Sequence, residues 1–113
     1  MMTFCTKHDL QHIEDRHGPN GSATDCFDAN FLNKWSGYAK VIQQVGDQGS
    51  QTTGYDNSGR LVYKFYWNFN EKTGTGQDQS GAHVIFKGVE TVGTIENQVY
   101  HVETAYPKGI LKS

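Results

Sequence analysis

Residues 8–18, HDLQHIEDRHG, gather the side chains of this sequence best suited to moving protons near neutral pH. A neutral imidazole accepts a proton and an imidazolium donates one, so His12 and His17 could serve as an acid–base pair. Arg16 beside them could hold an anion such as phosphate. On a helix, His12 and His17 stand about 140° apart, flanking one side without facing each other squarely. Each has a plainer reading: His17 as a core histidine with its polar atoms satisfied, His12 as a surface residue, Arg16 as a partner for Asp9 or Asp15. His8 and His12 have the i, i+4 spacing of metal ligands, but no third ligand is identifiable near them, so no metal site and no cofactor are expected.

The segment around these residues is a helix by its own signals. Thr6 can cap it, Asp9 stands near its positive end, and Gly18–Pro19 stop it. Leu10, Ile13 and His17 fall at i, i+3, i+7, which puts His17 on the buried edge. Residues 18–26 read as a loop. Helical spacing resumes at Phe27, with Phe31, Leu32 and Trp35, breaks at Ser36–Gly37, and returns in Tyr38, Val41, Ile42 and Val45, with Gly46 as the stop.

Beyond Gly46 the period changes to two. In RLVYKFYWNF, residues 60–69, Leu61, Tyr63, Phe65, Trp67 and Phe69 share one face, and Val62, Lys64, Tyr66 and Asn68 the other. The DNSG turn predicts a hairpin with residues 51–56. Residues 70–82 read as a polar, glycine-rich loop. Strands are expected at 82–88, 89–95 and 98–106, with a turn at Glu96–Asn97 and Pro107 ending the last strand. Helices first and strands after predict a single α+β domain over residues 1–113, its N-terminal helices packed on one face of a twisted antiparallel sheet.

Composition removes several classes. Ten Lys and Arg against twelve Asp and Glu give a net charge of −2, which excludes bulk non-specific binding to nucleic acid but allows a local basic site. No apolar run approaches membrane-spanning length, and the first residues lack the apolar core of a signal peptide. There is no Walker loop, no GxSxG, no HExxH and no dinucleotide fingerprint. Cys5 and Cys26 could pair in an oxidising compartment; two free thiols is the reading taken here.

Two motifs, taken in order and at this separation, carry a resemblance. His-Ile-x-x-Arg-His-Gly stands here as His12, Ile13, Arg16, His17 and Gly18; Val-x-Thr-Ala-Tyr-Pro stands as Val102, Thr104, Ala105, Tyr106 and Pro107. Gly76, Asp78 and Gly81 fit a glycine-rich loop between them. Over residues 8–109 the chain resembles the barnase/EndoU/colicin/RelE-like nucleases, mostly RNases that serve as C-terminal toxin domains in bacterial contact-dependent inhibition and polymorphic toxin systems. The resemblance implies a metal-independent endoribonuclease acting on tRNA, with 2′-hydroxyl attack giving 2′,3′-cyclic phosphate ends. It makes His12 and His17 the general base and acid, puts Thr104 and Tyr106 as phosphate-facing groups on the last strand, and offers Lys87 and Lys108, with Arg16, as phosphate ligands. It also implies a cognate immunity protein, a host activating protein, secretion from a producer cell and action in the target-cell cytoplasm. The alternative is a non-catalytic protein-binding module, such as an immunity protein, using Tyr63, Tyr66 and Trp67 as exposed aromatics.

Overall fold

The computed structural model describes residues 1–111 and has an α+β architecture. In chain order its elements are β1 (Met2–Phe4), α1 (Lys7–His17), β2 (Cys26–Phe27), α2 (Ala29–Lys34), α3 (Tyr38–Gln48), β3 (Ser50–Tyr55), β4 (Leu61–Asn68), β5 (Gly74–Gln77), β6 (His83–Glu96) and β7 (Val99–Ile110). The seven strands form one sheet in the order β1-β7-β6-β4-β3, with β5 attached to β6 and β2 to β5. Every pairing is antiparallel except β1 with β7, which makes the sheet mixed rather than wholly antiparallel.

Helix α1 begins where its capping chemistry puts it: the Thr6 side chain accepts from the Asp9 N–H, and the Gly18 N–H closes the other end on the Glu14 carbonyl. The helical reading of Phe27 is overturned. Cys26 and Phe27 pair with Thr75 and Gly74 as a short strand, and Asp28 caps α2 only afterwards. Ser36 and Gly37, with φ of 63° and 106°, supply the left-handed turn into α3. That helix does not stop at Gly46 but runs to Gln48. Gly46 is there for closeness: a Cβ on it would stand 2.1 Å from the Thr3 hydroxyl of β1.

Three strand expectations also change. Part of the glycine-rich stretch forms β5, because β6 offers its backbone to residues 74–77. The two short strands expected at 82–88 and 89–95 are one continuous strand, β6. Pro107 sits inside β7, opposite Val89, past the stretch that β1 pairs, so its missing N–H takes nothing from a ladder. The β6–β7 turn uses Asn97 and Gln98, both with positive φ, a two-residue connection that matches the strand twist.

All three helices send apolar residues to one face of the sheet. Ile13 of α1, Phe31 and Leu32 of α2, and Val41, Ile42 and Val45 of α3 join Phe65, Val89, Tyr100, Val102 and Ala105 in one buried cluster. The pairing shifts by one residue at Val92/Gly93, skipping Glu103, so that Val102 and Ala105 both reach that cluster across the bulge. Of the odd-numbered residues of β4, Leu61 at the start of the strand is exposed, whereas Tyr63, Phe65 and Trp67 face the core as expected. Tyr63 and Trp67 therefore pack against it, and of the three aromatics named for a binding surface only Tyr66 lies on the other face.

Candidate functional site

The sheet register fixes what the opposite face carries. Strands β4, β6 and β7 line up in rows of directly opposed residues: Lys64–Val92–Thr104, Tyr66–Glu90–Tyr106 and Asn68–Gly88–Lys108. Neighbours in a row are about 5 Å apart, and rows are about 7 Å apart. The next pair along β6 and β7 is Phe86–Ile110.

Glu90 stands at the centre of this grid and is 5% exposed, an unusual place for a carboxylate. Burial of such a charge requires partners. The Tyr106 hydroxyl donates to Oε1, and the Lys108 ammonium lies 3.1 Å from Oε2. Lys108 is the exposed member of the pair, at 56% of its side chain against 7% for Glu90. Burial, then the hydrogen bond and charge of Glu90, push the Tyr106 phenol well above its ordinary range and keep it protonated. Its one proton is directed at Glu90, so Tyr106 holds the carboxylate rather than donating to a phosphate. Tyr66, also pushed up by burial and by Glu90, reaches over β6 towards the Lys108 carbonyl, 3.4 Å away.

His17 meets this cluster from the end of α1. Its ring centroid lies 5.7 Å from that of Tyr106, and its Nδ1 is 2.8 Å from the Asp25 carbonyl oxygen. A carbonyl only accepts, so Nδ1 is the donating nitrogen, and among the described residues Nε2 has no hydrogen-bond partner. The ring is partly buried, the position its spacing with Leu10 and Ile13 predicts. An open groove of about 780 Å³ adjoins the cluster, lined by Phe86, Lys108, Ile110, Asp25 and the β5–β6 turn from Gln77 to Ser80. That turn is stiffened by Asp78, whose Oδ1 accepts from the Ser80 and Ala82 N–H groups and the Ser80 hydroxyl.

The structure brings His17, Tyr106 and Lys108 together and leaves the other sequence candidates apart. His12 and Arg16 are exposed on α1, and among the described residues neither side chain makes a hydrogen bond or ion pair. Thr104 shares the face of Tyr106, one row away, opposite Val92. Lys87 alternates with Gly88 and therefore points to the opposite side of β6 from Glu90. Glu90 itself was missed: it reads as one polar residue in VETVGT, and only the register places it between two tyrosines. Among the described residues no group of three or more His, Cys, Asp or Glu is gathered as metal ligands. Cys5 and Cys26 are free thiols. Among the described residues no helix is long and apolar enough to cross a membrane.

Compared with protein-family models, curated protein sequences and solved structures, the chain matches none.

Proposed function

We propose that this chain is a metal-independent endoribonuclease in which Glu90 and His17 are the general base and acid. The observation that carries the reading is a buried carboxylate held by Tyr106 and Lys108, with the His17 imidazole, one nitrogen fixed on a backbone carbonyl, packed against the same Tyr106 ring and an open groove beginning at Lys108. Acid–base work needs two proton-exchanging groups in reach of one bond, and His12 stands apart from the cluster while Glu90 lies within it.

Lys108 swings out onto a non-bridging phosphate oxygen and uncovers Glu90. The Glu90 carboxylate takes the 2′-hydroxyl proton, and the 2′-oxygen attacks phosphorus. The Lys108 ammonium offsets the charge that develops on the phosphorane. Protonated His17 donates from Nε2 to the departing 5′-oxygen, leaving a 2′,3′-cyclic phosphate and a 5′-hydroxyl. Water then returns the proton balance of both groups. The substrate is RNA because DNA lacks the attacking hydroxyl.

The setting proposed with this activity is a toxin domain that cleaves tRNA in a target-cell cytoplasm, kept in check by an immunity protein. Incubation of the protein with total RNA in EDTA, followed by end mapping, tests the reading. Discrete cleavages with cyclic-phosphate ends support it; intact RNA, or 3′-hydroxyl ends, overturns it.

A further inference from the structure

The residue that lies between Lys64 and Asn68 on the open face is Tyr66, and the sheet is cut away beneath it. A Cβ on Gly88 would stand 2.2 Å from the Tyr66 hydroxyl oxygen and 2.4 Å from Cζ. A Cβ on Gly109, whose φ is +83°, would stand 2.2 Å from the same hydroxyl. These glycines belong to β6 and β7, while Tyr66 belongs to β4. The ring therefore lies down across the sheet, over two positions that have no side chain. It is partly exposed, and no other aromatic ring among the described residues packs against it.

We infer that Tyr66 is a stacking platform for one unpaired nucleobase, so that the substrate crosses this face as a single strand. The inference rests on the RNase reading for the identity of the ligand and extends it to the form of RNA accepted. An aromatic ring laid flat beside a cationic track is the arrangement that binds single strands, because every base has a π-face. Lys108, whose ammonium is paired with Glu90 until a phosphate draws it away, stands at one end of the platform, and Lys64 precedes Tyr66 on the same face of β4 with no ion pair among the described residues. A base inside a duplex is stacked on its neighbours and cannot lie on Tyr66, and the platform is one ring deep in an open sheet face rather than a groove sized for a helix.

The test uses a fluorescent single-stranded oligodeoxyribonucleotide, which can stack but cannot be cleaved, and the same sequence as a duplex. Anisotropy titrations are run on the wild type, Tyr66→Phe, Tyr66→Ala and Gly88→Ala, each checked for folding by circular dichroism. The single strand binds the wild type and Tyr66→Phe alike. Tyr66→Ala weakens it about 5- to 150-fold, the range for losing one base–aromatic stack. Gly88→Ala, which keeps the tyrosine but pushes it off its bed, weakens binding in the same direction; should it misfold, the Tyr66→Phe and Tyr66→Ala comparison decides alone. No wild-type binding, equal affinity of Tyr66→Ala, or duplex bound as tightly as single strand overturns the inference. Binding through Tyr66 with RNA left intact overturns the RNase reading alone; RNA cleavage untouched by Tyr66→Ala overturns the platform alone.

Discussion

Replacing Glu90 by Gln keeps the shape of the side chain and removes its charge. The Tyr106 hydroxyl can still donate to the Gln carbonyl, but the amide then turns its own N–H donors towards the Lys108 ammonium. One charge-assisted hydrogen bond is lost. Because the Lys108 side chain is 56% exposed, its ammonium returns to water at little cost, and the full penalty of a buried orphan charge does not apply. The expected destabilisation is about 1–2 kcal/mol. For a chain of this size that lowers Tm by roughly 4–8 °C and leaves the protein folded at 25 °C. Cleavage should fall much further, by about 10²–10⁴-fold, the usual effect of removing a positioned base. Thermal melting and initial cleavage rates on the same preparation separate the two effects. A variant with the lowered Tm and a near-normal rate would make Glu90 a structural carboxylate and not the base.

His17→Ala should also reduce the rate about 10²–10⁴-fold, while His12→Ala stays within about threefold of wild type, measured on one RNA substrate. Equal losses in both would restore the two-histidine pair. Ile13→Ala, at a position with no exposure, should cost about 2–5 kcal/mol in chemical denaturation and loosen α1 from β7. The phenols of Tyr38, Tyr66, Tyr100 and Tyr106 are all pushed up, chiefly by burial. Unfolded tyrosines then ionise first, so stability is fully present below about pH 10 and declines as pH rises above it; a denaturation midpoint unchanged from about pH 9 to pH 12 would contradict this. Burial and the nearby Asp9 push the Cys5 thiol up to about 11. Its alkylation by iodoacetamide at mildly alkaline pH should be roughly tenfold or more slower in the folded than in the denatured protein, as mass spectrometry of the modified peptide would show.

The elements with strong local signals were legible. Thr6, Asp9 and Gly18 bound α1 through contacts within a turn or two, and the alternation of residues 61–69 assigns Tyr63, Phe65 and Phe69 to the core without reference to any partner. The misread elements depend on distant chain. Residues 74–77 become a strand because β6 passes beside them, and residues 2–4 because β7 leaves an edge open to them. Gly46 resembles a helix stop until Thr3 is seen against it. The site divides the same way. His17 announces itself by its place on the apolar edge of α1, whereas Glu90 becomes a candidate only once the pairings Tyr66–Glu90 and Glu90–Tyr106 surround it.

In the proposed reaction a 2′-hydroxyl, activated within the Glu90–Tyr106–His17 cluster, is the nucleophile. The most direct test of that role compares two synthetic RNA oligonucleotides spanning one mapped cleavage site, identical except that one carries a single 2′-deoxyribose on the 5′ side of the scissile phosphate. The all-ribose strand should be cut there by the wild-type protein in EDTA, and the substituted strand should stay intact at that phosphate while any other sites are cut as before. Equal cleavage of the two strands at that phosphate would rule out the 2′-hydroxyl as the nucleophile.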